Sequence, residues 1–129
     1  MDREEGGRFF RDAWIKGVKQ HYPGTPKDSY ITPWENMPQW EKDIVTEIYS
    51  QMHALILAGV QPKQVTRLSR EQGGRVIRIA WVGQVYKHIS EPKPAYVCNW
   101  EDMSSWEREV DMDIFEDIQA VVLQEITTG

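Results

Sequence analysis

The sequence predicts an all-α protein with four main helices, arranged as two tandem helix–loop–helix repeats that pack with pseudo-twofold symmetry. Three observations support this prediction: an internal duplication of the chain, apolar residues at helical spacing in each copy, and capping residues before the helices. We expect one domain over residues 1–129, with the first repeat in 1–60 and the second in 61–129. A minimal two-stranded ribbon between residues 30–32 and 96–98 is a further expectation.

The duplication is visible when residues 6–14 are compared with residues 73–81. Both segments begin with Gly-Gly-Arg and end with Ala-Trp. The same register relates His21 to His88, and after a one-residue deletion it relates residues 34–41 to residues 100–107. Roughly twenty of about fifty aligned positions are identical, which is well above chance and indicates two copies of one structural unit.

Each copy predicts a first helix and a longer second helix. The paired glycines indicate either a helix start or a close backbone approach. Capping boxes are predicted at Ser69 with Gln72 and at Ser104 with Glu107, and Pro38 suits the first turn of the other long helix. The predicted apolar faces are Phe9, Phe10, Ala13, Trp14 and Val18; Val76, Ile77, Ala80, Trp81, Val85 and Ile89; Trp40, Ile44, Ile48, Tyr49, Met52, Leu55 and Ile56; and Trp106, Val110, Ile114, Phe115, Ile118, Val121 and Val122.

One copy alone could not bury either of the long apolar faces, so we expect the copies to pack on each other. The stripes could be completed within one chain or across a homodimer. Trp14, Trp81, Trp40 and Trp106 stand at helical spacing among apolar residues, which favours a place in the core.

Composition and charge exclude several classes of protein. The single cysteine, Cys98, permits no internal disulfide and no cysteine-based zinc site, and its apolar surroundings predict a small core residue. The acidic start of the chain lacks the features of a signal peptide, and the longest apolar stretch, residues 54–60, is far below the roughly 20 residues needed to span a bilayer. We therefore expect a soluble, cytoplasmic protein that does not contact a membrane.

The net charge of −5 argues against direct nucleic-acid binding, because phosphate contacts need a basic surface. The charge is unevenly distributed, since residues 63–93 are mainly basic and residues 101–125 are mainly acidic. We expect these two segments to complement each other within the fold.

Residues 32–43 followed by an amphipathic helix resemble the second half of the RyR repeat domain, which is named from ryanodine receptors and also occurs in bacterial and phage proteins. Pro33, Trp34, Glu35, Met37 and Pro38 carry the resemblance at the start of the long helix. The resemblance implies a small helical domain that senses a ligand or nucleotide and is not an enzyme, with a bacterial, phage or mobile-element source.

Two patterns suggest chemistry at named positions. His21 and His88 are equivalent, and either they bond the last carbonyls of their helices or they meet a shared ligand. Glu109, Asp113 and Glu116 fall on one helical face, which is compatible with a divalent metal site. Neither a phosphate-binding loop nor a nucleophile elbow is present in the sequence.

The duplicated arginines and tryptophans are the preferred candidates for a ligand site. Arginine beside an aromatic face suits a planar anionic ligand such as a nucleotide. We expect such a ligand in a groove on the pseudo-dyad, formed by Arg8, Arg11, Trp14, Trp34, Arg75, Arg78, Trp81 and Trp100.

The sequence therefore favours a non-enzymatic regulatory protein that binds a small molecule or a protein partner, with no cofactor. Two alternatives remain at this point. One is an acidic inhibitor of a host factor that imitates nucleic-acid charge. The other is a small metal-dependent hydrolase that uses the carboxylates of the long helices.

Overall fold

The computed structural model describes residues 1–128, and this part of the chain forms four α-helices with short 3-10 turns between them. The predicted all-α class with four main helices is confirmed. Every helix within residues 1–128 is too short or too polar to cross a membrane. The helices are α1 (Arg3–His21), α2 (Gln39–Ala58), α3 (Arg70–His88) and α4 (Ser105–Thr128), and the strands are β1 (Val60–Gln61) and β2 (Gln64–Val65).

The first helix of each half begins at an equivalent cap. The Asp2 side chain accepts a hydrogen bond from the Glu5 backbone at 2.8 Å, and Ser69 Oγ accepts one from the Gln72 backbone at 3.2 Å. Gln72 Oε1 in turn accepts from the Ser69 backbone at 2.8 Å, which confirms the predicted capping box. Such caps satisfy N–H groups that have no partner inside the helix.

The paired glycines allow the two helices of each half to approach closely. A Cβ atom on Gly6 would overlap the ring of Tyr49, and one on Gly73 would overlap the ring of Phe115. An aromatic ring thus lies close against the helix backbone at equivalent places in the two halves, and the glycines lie near the starts of α1 and α3. This close contact sets how α1 lies on α2 and how α3 lies on α4.

The apolar faces of α2 and α4 meet in the centre of the bundle, together with residues of α1 and α3. Most of each stripe is buried within the chain, but Trp40 and Leu55 of α2 are 38% and 39% exposed. Ile44, Ile48, Val110, Ile114 and Phe115 are fully buried there. Burial of side chains of this size contributes about 1.5–3 kcal/mol each, so this contact between the halves is a main source of stability.

The predicted ribbon between residues 30–32 and 96–98 is wrong. Each of these segments begins with the last residue of a 3-10 turn, and among residues 1–128 the two-stranded pairing is found only between β1 and β2. The loop carbonyls that a ribbon would need are occupied instead by side chains of α1 and α3, as described below.

The small hairpin joins the two halves. Val60 pairs with Val65, and Gln61 pairs with Gln64, in an antiparallel register. The repeat boundary predicted between residues 60 and 61 falls inside β1. The hairpin reverses the chain so that α3 can return along α2.

Candidate functional site

Arg11 and Arg78 hold the loop that connects the two helices of each half. Arg11 Nε donates to the Thr32 carbonyl at 2.9 Å, and Arg78 Nε donates to the Cys98 carbonyl at 3.0 Å. The Nη2 atom of each arginine donates to a second loop carbonyl at 3.2 Å. Both side chains are only 6% exposed, and burial lowers the pKa of Arg11. These two residues were predicted to bind a ligand, but their side chains instead donate hydrogen bonds to the loops.

Trp14 and Trp81 make the same kind of bond. Trp14 Nε1 donates to the Tyr30 carbonyl at 2.8 Å, and Trp81 Nε1 donates to the Tyr96 carbonyl at 2.9 Å. The indole N–H groups are thus used inside the chain. Together with the arginines, they explain why the loops form turns and do not pair as strands.

The remaining predicted ligand-binding residues, two arginines and two tryptophans, contact each other within each half of the chain. The Arg8 guanidinium lies 5.5 Å from the centre of the Trp34 ring, and the Arg75 guanidinium lies 5.6 Å from that of Trp100. Both tryptophans are buried, so the free face that stacking requires is already covered. Each arginine also pairs at 2.8 Å with a glutamate, which is Glu35 in the first half and Glu101 in the second.

A wide cleft of about 440 Å³ lies beside Arg75 on α3 and α4. Arg75 contacts two acidic side chains there, and its hydrogen bond lowers the pKa of Glu101. Arg108 donates to two backbone carbonyls of the same region at 3.4 and 3.5 Å. The charges are thus already matched within the chain. The cleft is lined by Glu71, Arg75, Trp100, Glu101, Arg108 and Met112.

The contact between α1 and α4 is tightly closed. Gly17 allows it, because a Cβ atom at this position would lie 3.0 Å from Val110 Cγ1. Farther along α1, His21 Nε2 lies 2.7 Å from Asp113 Oδ2. The duplicated histidine therefore contacts the long helix of the other half.

Arg70, at the start of α3, adds ion pairs to α4 beside the contact between α1 and α4. Its guanidinium pairs with all three predicted metal ligands, Glu109, Asp113 and Glu116. Burial opposes its charge, but these hydrogen bonds raise the pKa of Arg70 above the ordinary arginine value. The basic and acidic segments of the sequence therefore do complement each other here.

A cation could be held by His21, Glu109 and Asp113, whose ligand atoms lie within 4.8 Å of one another. A cation there would have to compete with the guanidinium of Arg70, which already neutralises the carboxylates. The structure therefore favours a salt-bridge cluster at this position over a metal site.

The equivalent contact between α2 and α3 is open. Gln84 stands where the first half has Gly17, and α3 packs on α2 less extensively than α1 packs on α4. A glutamine side chain thus lies where the closed contact has none. The cleft between the two helices has a volume of about 280 Å³ and is lined by Arg3, Asp43, Thr46, Glu47, Gln84, Lys87 and His88. We call it the α2–α3 cleft.

Gln84 is the most informative residue of the α2–α3 cleft. Its side chain is 8% exposed, and its carbonyl oxygen Oε1 is buried with no hydrogen-bond partner among residues 1–128. Leaving a buried polar atom unpaired costs about 1–3 kcal/mol, and native proteins rarely tolerate it without a reason. The Tyr49 hydroxyl is likewise buried without a partner among residues 1–128, so such an atom does not by itself mark a ligand site.

Charges of both signs surround the α2–α3 cleft. Arg3 donates to Glu47 at 2.9 Å, and this hydrogen bond lowers the pKa of Glu47. Asp43 accepts from the Gln39 side chain at 2.9 Å. Lys87 and His88 are exposed at the rim. His88 thus lies beside the long helix of the other half, as His21 does, but its ring makes no hydrogen bond or ion pair within residues 1–128.

The aromatic side chains show the same difference between the two helix contacts. Trp106 packs against Trp14, Tyr22 and Tyr30, with ring centres 4.9–6.2 Å apart. Its counterpart Trp40 is 38% exposed, so the predicted core position of Trp40 is wrong. Part of the reason is visible in the sequence, where the second copy has Ile89 in place of Tyr22.

Sequence reasoning singled out His88 but missed the other residues that line the α2–α3 cleft. A signal was available in the duplication, because comparison of the copies shows glutamine at position 84 opposite glycine at position 17. That difference becomes meaningful only when both positions are known to face a helix of the other half.

Comparison with protein-family models, curated proteins and solved structures finds no match for this chain. The site is therefore interpreted from its own geometry.

Proposed function

We propose that this protein is a non-enzymatic regulatory protein that binds a small polar ligand in the α2–α3 cleft. The observation that carries the proposal is the open cleft between the two halves, which is lined by charged side chains of both signs and by the buried Gln84. The charged side chains at the rim would bind and orient the polar groups of such a ligand.

The placement of the α2–α3 cleft supports a regulatory role. The two helices belong to different halves of the chain, so a ligand between them would join the halves on their open side. The other side is already joined by His21, Arg70 and their carboxylate partners. Ligand binding would therefore stabilise the whole bundle and favour a closer approach of α3 to α2.

The sequence-level resemblance to RyR repeat domains agrees with a sensor role. The two alternatives receive less support from the geometry. An acidic mimic needs unpaired carboxylates, whereas Glu109, Asp113 and Glu116 pair with Arg70. A metal-dependent hydrolase needs the same carboxylates for its cations.

A thermal-shift screen of the purified chain against amino acids, sugars, nucleotides and divalent cations tests the proposal. A ligand of the α2–α3 cleft at a hundred times its Kd should raise the Tm by on the order of 5–10 °C. The Gln84→Met variant should lose this shift, because it keeps about the same side-chain volume but removes the polar amide from the lining of the cleft.

Gln20→Met is the matched control, since Gln20 is an exposed glutamine near the end of α1. It should keep the ligand-induced shift. Retention of the shift in Gln84→Met would place the ligand elsewhere, and loss in an Arg75→Ala variant would then identify the cleft beside Arg75. Absence of any shift across the screen would overturn the proposal.

A further inference from the structure

We propose that the outer face of α3 forms the contact of a homodimer, in which α3 packs antiparallel on α3 of a second copy of the chain. This face consists of Ile79, Val82, Gly83 and Tyr86, and we call it the α3 outer face. It shares no residue with the lining of the α2–α3 cleft, so the dimer does not depend on the proposed function.

The α3 outer face exposes large apolar side chains at helical spacing. Ile79 is 72% exposed and Tyr86 is 57% exposed, and no other large hydrophobic side chain within residues 1–128 is exposed as much. Tyr86 follows Ile79 by about two turns, with Val82 and Gly83 halfway, so the four residues lie on one side of the helix. Single exposed apolar residues are common, whereas a contiguous apolar stripe indicates an interaction surface.

The equivalent face of α1 is charged. In the first half, exposed charged residues occupy three of these positions, with Asp12, Lys16 and Lys19 opposite Ile79, Gly83 and Tyr86. The repeated unit thus folds with charged side chains at these places, so packing inside the chain does not require apolar residues there. Their presence on α3 alone indicates that a partner covers this side of the molecule.

Gly83 is the second unusual feature of the α3 outer face. Glycine is unfavourable inside a helix, and Gly73 and Gly74 are tolerated because a Cβ atom on either would overlap a neighbouring side chain. Beyond its own stretch of helix, a Cβ on Gly83 would meet no atom of residues 1–128 within 4 Å. A second helix that crosses α3 at this point would occupy the space that the missing side chain leaves.

The α3 outer face is symmetric about its middle, and this symmetry points to a second copy as the partner. Ile79 and Tyr86 lie about 5 Å along the helix on either side of the peptide bond between Val82 and Gly83. In an antiparallel pair with its twofold axis at this bond, Ile79 of each copy packs on Tyr86 of the other. Such a contact is closed, so it gives a dimer and not a filament.

The charges on α3 allow two copies to approach each other. Between Arg75 and Lys87 the sequence has one charged residue, Arg78, and this side chain is buried against its loop. Like charges therefore do not meet at the centre of the contact. Arg75 precedes the apolar residues and Glu91 follows them, so an antiparallel pair brings opposite charges together, whereas a parallel pair would bring like charges together.

The exposed area is large enough for a weak dimer. Tyr96 is 41% exposed and extends the surface, because Trp81 Nε1 donates to its carbonyl and holds it beside α3. The exposed parts of Ile79, Tyr86 and Tyr96 amount to roughly 350 Å² in each copy. Because about 65% of a homodimer interface is apolar, this patch corresponds to a total buried area of about 1,100 Å². A specific contact needs about 1,000 Å², so we expect a Kd on the order of 10–100 µM.

The test is sedimentation velocity on the full chain at concentrations from about 5 to about 500 µM, across which the parent protein should change from monomer to dimer. Ile79→Asp and Tyr86→Lys each introduce the residue that the first half has at the equivalent position. Each variant should therefore keep its helical circular dichroism spectrum. Each should weaken the dimer at least about tenfold, because it places a charge in the apolar contact.

A mixture of these two variants tests the antiparallel arrangement. In the mixed dimer the introduced carboxylate at position 79 meets the introduced ammonium group at position 86, and the second contact keeps the native Ile79 and Tyr86. The mixture should therefore associate at least several-fold more tightly than either variant alone. Two variants that are weakened separately but do not associate when mixed would overturn the antiparallel dimer.

Leu57→Asp is the matched control, because it places the same charge on an exposed apolar residue at the end of α2. It should keep the dimer of the parent protein. If Ile79→Asp does not fold, Gly83→Lys replaces it, since the first half has Lys16 at that position. A parent chain that stays monomeric at about 500 µM, or a dimer that only Leu57→Asp disrupts, would overturn the proposal.

Discussion

Gly17 and Gln84 occupy equivalent positions on α1 and α3, but only Gly17 lets its helix close on the long helix of the other half. Gly17 lies against Val110, whereas Gln84 holds an unpaired carbonyl oxygen beside an open cleft. The duplicated chain therefore has one closed and one open contact between its halves. This difference locates the candidate site.

The first prediction is that the unpaired oxygen of Gln84 lowers the stability of the ligand-free protein. Gln84→Met keeps the volume of the side chain and removes the unpaired oxygen, so it should stabilise the ligand-free protein by about 1–2 kcal/mol. Urea denaturation of both proteins measures the change. Gln20→Met should stay within about 0.5 kcal/mol of the parent. A destabilised Gln84→Met protein would mean that the glutamine is satisfied in solution.

The second prediction compares two glycines of the same helix. A Cβ on Gly73 would overlap the Phe115 ring, so Gly73→Ala should destabilise the protein by about 1–3 kcal/mol. Beyond its own stretch of helix, a Cβ on Gly83 would meet no atom of residues 1–128 within 4 Å, so Gly83→Ala should stabilise the protein by about 0.5–1 kcal/mol. Thermal unfolding of both variants provides the measurement. Changes of the same sign would contradict the close packing of α3 on α4.

The third prediction concerns the pH dependence of stability. Asp111 is buried where the first half has Val45, and burial raises its pKa to about 8 against the opposing effect of the Arg78 charge. The unfolded chain, with a pKa near the ordinary value of 3.8, releases this proton first as the pH rises. The contribution of Asp111 to stability therefore falls as the pH climbs from about 4 to about 8.

Asp111→Val removes this effect and restores the apolar residue of the other half. The variant should be more stable than the parent protein, and the difference should grow by up to about 1.4 kcal/mol per pH unit in that window. Denaturation curves recorded between about pH 5 and about pH 7.5, inside this pH window, measure how the stability difference changes with pH. A difference that does not change with pH would show that Asp111 is ionised throughout.

The fourth prediction tests the salt-bridge cluster of Arg70. Removal of the guanidinium in Arg70→Ala leaves His21, Glu109 and Asp113 close together with their negative charge uncompensated. The variant should lose about 1 kcal/mol of stability at low salt and should gain a Mn²⁺-dependent rise in Tm that the parent lacks. Arg3→Ala is the matched control on α1 and should show no such gain. A parent protein that already binds Mn²⁺ at this cluster would favour the metal site over the salt bridges.

Much of the fold could be predicted because it depends on local patterns. The capping box of Ser69, the glycines that contact Tyr49 and Phe115, and the apolar faces of the helices are all visible in the sequence. The ribbon was predicted in the wrong place because the donors to the loop carbonyls, Arg11 and Trp14, come from a distant helix. Sequence spacing does not show which side chain will donate a hydrogen bond to a given backbone carbonyl.

The sequence by itself determined that two copies of one helical unit fold together, since periodicity, caps and duplication are properties of neighbouring residues. Only the tertiary structure decided which duplicated residues are free to act. Arg11, Arg78, Trp14 and Trp81 are used by loops that lie next to them only in space, whereas Gln84 is left with a buried acceptor. Whether a polar group is satisfied depends on contacts between distant segments, and the helix packing alone fixes those contacts.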